Sequence, residues 1–271
     1  MKRAMDITFR MADTNAKGLY TLGPIIHNPQ VIEKLKKEGI SPIEEEEVGD
    51  RDIDALIIRT HGIPWQLYDK IAARGFRIID ATCPFVKKAQ HYAKLLKKSG
   101  YQVVILGDID HPEVRGLMSY AGDDVVVVDE HSELQGLKSK VGIVVQTTQP
   151  VEALKKVLSK IVEHAAEVKF YNTICNSTAL RLKETEDMAR KVDVMVVVGG
   201  KNSANTTQLA SLCRSLSVKT HHIETAAEIE PAWFEGAQTV GITAGASTPE
   251  WIIKEVEDRI RDIGGISCNG K

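Results

Sequence analysis

Short apolar runs alternate with stretches of helical period along almost the whole chain. Runs at 55–59, 76–79, 101–106, 124–128, 141–145, 193–198 and 239–243 read as strands. Residues 29–38, 65–74, 85–99, 151–165, 178–190, 205–216 and 249–263 read as helices. Strands alternating with helices of this length predict βαβ units and parallel sheets, because a parallel pair needs a long crossover. The longest purely apolar runs, such as 125–128 and 194–198, fall far short of the ~20 residues that a spanning helix requires. The opening MKRAMDITFRMADTNAKG is charged and lacks an apolar core, so it does not read as a signal peptide.

The pattern repeats. Strand-ending glycines recur in TLGPIIHNP, ILGDIDHPE and VVGGKNSAN, where Gly107 lies 84 residues beyond Gly23 and Gly199 lies 92 beyond Gly107. Four residues after each glycine stands a polar group: His27, His111 and Ser203. A second series, RTHGIPWQL, QTTQPVEAL and GASTPEWII, places Pro64, Pro150 and Pro249 at helix starts, where the missing N–H costs nothing. A third, IIDATCPFV and FYNTICNST, spaces Cys83 and Cys175 by 92 residues. The expected fold is therefore α/β, with three similar lobes of small, mostly parallel sheets flanked by helices. They would be arranged with pseudo-threefold symmetry around a central site. The lobes are expected at 1–83, with its first strand apparently missing, at 84–174, and at 175–271 including a C-terminal tail.

Composition narrows the function. The 271 residues carry 35 Lys+Arg against 37 Asp+Glu, a net charge of −2, and only 5% are aromatic. Neither a basic nucleic-acid binder nor a base-stacking platform fits these values. Four cysteines are too few for a secreted disulfide framework, so the chain reads as cytoplasmic, with its thiols buried or metal-bound. No GxxxxGK[ST] or GxGxxG is present, which disfavours a nucleotide triphosphatase and a dinucleotide site.

Cys83 and Cys175 occupy equivalent strand-to-helix turns, where the helix dipole favours thiolates suited to soft metals. Cys213, inside a helical stretch, and Cys268, in a Gly-rich tail, read as structural. His27, His61 and His111, with Thr147, Ser203, Asn205 and Ser247, supply the donors of a phosphate-type anion site. Glu113 reads either as a first-turn carboxylate opposite a helix dipole or as a proton donor held in the same turn as His111.

Taken together, YTLGPIIHNP, RTHGIP, DATCPFV, HPEV, QTTQ, NTICN, GGKNSANT and TAGASTPEWII resemble the 4-hydroxy-3-methylbut-2-enyl diphosphate reductases, over roughly residues 1–260. The resemblance implies three lobes around a [4Fe–4S] cluster. It implies reductive dehydroxylation of an allylic diphosphate to isopentenyl and dimethylallyl diphosphate, with ferredoxin or flavodoxin as electron donor. It assigns Cys83 and Cys175 as cluster ligands, and His27, His61, His111, Ser203, Asn205 and Ser247 as substrate contacts. Glu113 becomes the proton donor and Thr147 its neighbouring hydroxyl. Ala204 stands where some members carry serine.

The family's third cysteine lies in a segment like G-F-C-x-G-V ahead of K-R-A, whereas this chain opens Met1-Lys2-Arg3-Ala4. A GUG valine codon read as a start would account for that. Two thiols are expected to hold a [4Fe–4S] cluster loosely. The competing readings are a non-catalytic diphosphate binder or inactive fragment, a zinc hydrolase using both cysteines and a histidine, and a scaffold with core thiols.

Overall fold

The computed structural model describes residues 2–12, 18–26, 28–201, 203–263 and 267–269. Three four-stranded sheets carry the same order. The first is β2 (Ser41–Ile43), β1 (Leu19–Leu22), β3 (Ala55–Ile58) and β4 (Arg77–Asp80). The second is β6 (Val126–Val128), β5 (Gln102–Leu106), β7 (Lys140–Val145) and β8 (Glu167–Phe170). The third is β10 (Lys219–Ile223), β9 (Val194–Val198), β11 (Thr239–Ala244) and β12 (Ser267–Asn269).

Every pairing is parallel, and equivalent residues meet across the central pairs: Leu22 with Ile58, Leu106 with Val145, and Val198 with Ala244. Gly23, Gly107 and Gly199 follow directly, and each donates its N–H to the last residue of the neighbouring strand: Ile43, Val128 and Ile223. The glycine series thus marks the point where each central strand ends and its loop turns away.

The helices are α1 (Lys2–Ala12), α2 (Pro29–Lys37), α3 (Trp65–Ala72), α4 (Pro84–Lys98), α5 (Pro112–Ala121), α6 (Val151–Ile161), α7 (Asn176–Ala189), α8 (Ala204–Ser215) and α9 (Glu250–Asp262). Among the described residues, none is long and apolar enough to cross a membrane.

The chain forms two compact units. The first, residues 3–26 and 32–175, holds the first and second sheets; the other, mainly 27–31 and 176–271, holds the third. In the second sheet, Val104, Leu106, Ile143 and Val145 pack against Leu154, Val157 and Ile161 of α6. Val103, Ile105 and Val144 turn to the opposite face, against Ala93 and Leu96 of α4 and Leu117 of α5. The third sheet is built alike, with Val194, Val196 and Val198 facing α9, and Met195 and Val197 facing α8. A sheet covered on both faces buries consecutive residues, which is why its strands read as unbroken apolar runs.

Two expectations are corrected. The first sheet is not short of a strand: β1–β4 fill the same four places as in the other sheets. That expectation rested on the family's cysteine-bearing segment lying ahead of K-R-A, and not on the strand ending at Gly23, which is β1. Helix α1 is also additional to the sequence reading, and α5 entered it only through the helix start at His111 and Glu113. In α5, Gly116 interrupts the periodic pattern, yet it packs buried beneath Gln90 and Ile63.

Candidate functional site

Both candidate thiols of the first unit are delivered by one local device. Asp80 ends β4, and its Oδ1 accepts the N–H of Thr82 at 2.9 Å. Asn172 follows β8, and its Oδ1 accepts the N–H of Ile174 at 3.2 Å. A side-chain acceptor bonded two residues ahead closes an Asx turn. In each case the cysteine is the third residue past the acceptor. Cys83 then donates its N–H to the Thr60 carbonyl at 2.9 Å, and Cys175 donates its N–H to the Thr147 carbonyl at 2.8 Å. Thr60 and Thr147 leave the equivalent neighbouring strands, β3 and β7, so each turn is pinned to the loop beside it. Cys83 also caps α4, with Pro84 at its first position.

Those neighbouring loops carry the titratable groups. His61 is 9% exposed and meets His111 edge to face, with ring centroids 5.4 Å apart. His111 caps α5, and its Nδ1 accepts the N–H of Glu113 at 3.1 Å. An accepting Nδ1 places the proton of the neutral ring on Nε2. Glu113 is 2% exposed. Its Oε1 accepts the Thr147 N–H at 2.7 Å and its Oε2 accepts the Thr147 hydroxyl at 2.8 Å. Burial pushes the Glu113 carboxyl above its ordinary range, against the two Thr147 hydrogen bonds, which pull it down. Thr147 therefore links the acid to Cys175 through its own backbone. The structure brings six of the sequence candidates together in this unit: Cys83, His61, His111, Glu113, Thr147 and Cys175.

The second unit holds the hydroxyl and amide candidates. Ser203 caps α8 and accepts the N–H of Thr206 at 3.4 Å. Among the described residues, neither Nδ2 nor Oδ1 of Asn205, both buried, has a hydrogen-bond partner, and the same holds for the Thr206 hydroxyl. Ser247 is buried, and its carbonyl accepts from Asn28 Nδ2 at 3.3 Å. Asn28 in turn caps α2 through the N–H groups of Gln30 and Val31. His27 lies outside the described residues. Unpaired buried amide groups are costly in a folded chain, so Asn205 and Thr206 point to a polar ligand.

The remaining cysteines lie elsewhere. Cys213 is fully buried among Met195, Val197 and Leu209, and burial pushes its thiol up to about 11. The Cα of Cys268 pairs with Val240, four residues short of the end of β11 at Ala244. Cys83 and Cys175 instead lie beyond the ends of their strands. Among the described residues no group of three or more His, Cys, Asp or Glu side chains is placed to hold a metal ion.

Sequence reasoning passed over Asp80, Asn172 and Gln146. The first two were legible as an Asx residue three positions ahead of each cysteine. Gln146, in the QTTQ motif, accepts the Asp108 N–H at 2.9 Å and shapes the loop leading to His111.

The family model described as LytB protein matches residues 1–261. The 4-hydroxy-3-methylbut-2-enyl diphosphate reductase of Pelobacter propionicus is 51% identical over 97% of this chain and 94% of its own. The enzyme of the same name from Geobacter sp. strain M21 is 48% identical, over 97% and 93%. The solved structure of (E)-4-hydroxy-3-methyl-but-2-enyl diphosphate reductase, the terminal enzyme of the non-mevalonate pathway, superposes with a TM-score of 0.83 at 43% identity, covering 96% of this chain and 94% of that one. The corresponding Plasmodium falciparum structure, 24% identical with a TM-score of 0.79, shares the fold.

Proposed function

The chain belongs to the LytB family, and we propose that it reduces 4-hydroxy-3-methylbut-2-enyl diphosphate to isopentenyl and dimethylallyl diphosphate. Two electrons and two protons enter, the allylic C–O bond breaks, a C–H bond forms and water leaves. The observation that carries the reading is the buried Glu113 carboxyl, held by both donors of Thr147 beside His111. A carboxyl raised by burial holds its proton to higher pH than an ordinary glutamate does and can give it to a departing hydroxyl.

Two thiols presented at strand ends by matching turns fit the chemistry of iron–sulfur ligation. Cys83 and Cys175 would hold a [4Fe–4S] cluster, and the described residues offer no third thiol in an equivalent turn. When bound, the cluster supplies the electrons and a Lewis-acidic iron. The chain's own residues do the rest. Asn205, Thr206, Ser203 and Ser247 bind the diphosphate, together with the N–H groups at the start of α8. His61 and His111, with His27, bind its remaining oxygens and orient the hydroxyl end. Glu113 holds and delivers a proton at a carboxyl oxygen, and Thr147 fixes where that oxygen points.

The lobe boundaries at 83/84 and 174/175, a cytoplasmic location, and ferredoxin or flavodoxin as electron source belong to the same proposal. Anaerobic incubation with substrate and reduced methyl viologen tests it. Formation of both five-carbon diphosphates supports the reading, and release of inorganic phosphate in their place contradicts it.

A further inference from the structure

Helix α4, which starts directly after Cys83, carries Lys87, Lys88, Lys94, Lys97 and Lys98 and no carboxylate, in a chain whose net charge is −2. Phe85, Lys88 and Tyr92 are spaced three and four apart and so share one face of the helix. Phe85 is 43% exposed, in the first turn beside Cys83. Tyr92 stacks flat on Tyr171, with centroids 3.9 Å apart and planes 8° from parallel. Tyr171 lies four residues before Cys175, and its N–H bonds to the Ile143 carbonyl at 2.9 Å. The stack therefore joins the segments that carry the two thiols.

Two ammonium groups flank it. Lys88 Nζ lies 5.8 Å from the Tyr92 ring and Lys169 Nζ lies 5.6 Å from the Tyr171 ring. Among the described residues, neither lysine is ion-paired with a carboxylate; Asp80 is taken by Lys87 and Glu167 by Lys140. A cation held over a ring keeps its charge available and its position fixed, as interface anchors do.

We infer that this face, built from Phe85, Lys88, Tyr92, Lys169 and Tyr171, docks a small acidic one-electron carrier protein that feeds the centre at Cys83 and Cys175. The inference rests on the reductase reading, which requires two electrons per turnover. Each docking event delivers one electron from the reduced carrier, and the carrier leaves oxidised by one. The charge is complementary to an acidic protein, and lysines around an aromatic centre give fast, salt-sensitive encounter. The rings stack on each other rather than presenting two open faces, which fits a protein surface better than nucleic-acid bases.

The test titrates purified acidic flavodoxin into the iron-loaded chain at low and high salt, and follows turnover with two reductants. Lys88→Glu combined with Lys169→Glu should weaken flavodoxin binding at least about tenfold at low salt and flatten its salt dependence. Tyr171→Ala should weaken it as well. Lys254→Glu, on the exposed side of α9, should not. The double charge reversal should slow flavodoxin-driven turnover while leaving turnover with reduced methyl viologen unchanged. Unchanged flavodoxin affinity in that variant overturns the docking site, as does a loss confined to RNA or anionic vesicles. Absent turnover with methyl viologen, with flavodoxin binding intact and salt-sensitive, would overturn the reductase reading and leave the docking surface standing.

Discussion

Glu113 and Thr147, 34 residues apart in the chain, are joined twice: one carboxylate oxygen takes the threonine's N–H at 2.7 Å and the other takes its hydroxyl at 2.8 Å. This pairing fixes the acid in a buried place without neutralising it by a cation. Glu113→Gln keeps the shape and the acceptor for the Thr147 N–H but removes the transferable proton. Turnover should fall by about 10²–10⁴-fold, while substrate affinity measured by calorimetry stays within a few-fold. Equal losses in binding and rate would assign Glu113 to substrate binding instead.

The same burial has a consequence for stability. A carboxyl raised in the fold binds its proton more tightly there than in the unfolded chain. Its contribution is present below the ordinary glutamate range and is lost as pH rises through the raised value. The melting temperature of Glu113→Gln relative to the native chain should therefore increase as pH is raised from about 4.5, an ordinary carboxyl value, and level off once Glu113 ionises in the fold. A difference that is flat with pH would show that the carboxyl is not raised.

Both Thr147 donors hold the Glu113 carboxyl down against burial. Thr147→Val removes one of them, so the alkaline limb of the pH–rate profile should move to higher pH. Thr147→Ser should restore it. Movement in the opposite sense would mean that the hydroxyl serves the substrate rather than the acid.

Asp80 and Asn172 close matching turns ahead of Cys83 and Cys175. Asn172→Ala should cost about 0.5–1.5 kcal/mol in denaturant melts, and Asn172→Asp much less, because the acceptor survives. After anaerobic reconstitution, Cys83→Ser and Cys175→Ser should retain far less iron than the native chain, and Asn172→Ala should release it faster on gel filtration. Cys213→Ala should not change iron retention. Iron held equally well by every variant would place the centre elsewhere.

Thiol chemistry separates these cysteines independently. The Cys213 thiol is pushed up to about 11 in a core cluster, so in the native chain at pH 8 it should resist iodoacetamide. Cys83 and Cys175, both partly exposed, should be alkylated first. Mass spectrometry of partially modified chain reads the order directly.

The threefold repeat was legible because its markers are covalent necessities of the turn: glycine where a central strand ends, proline where a helix begins. Four of the edge strands, β2, β8, β10 and β12, were not. Glu167–Phe170 is four mostly exposed residues, too short and too polar for its period to show. The Glu113–Thr147 pairing was also hidden as geometry, since nothing local connects residues 34 positions apart. Their roles came from motif resemblance, and only the fold shows the double hydrogen bond. The turns at Asp80 and Asn172 lay between these cases. D-A-T-C and N-T-I-C carry the same signal, and it becomes evident once the two cysteines are placed on equivalent loops.

The most direct measurement is product analysis in D₂O. Chain supplied with excess ferrous iron and sulfide, which offsets loose retention by two thiols, is given substrate and reduced methyl viologen under argon. The account predicts isopentenyl and dimethylallyl diphosphate, each carrying one solvent-derived deuterium on carbon, and neither from Glu113→Gln at a comparable rate. Products without carbon-bound deuterium, or free phosphate alone, would contradict it.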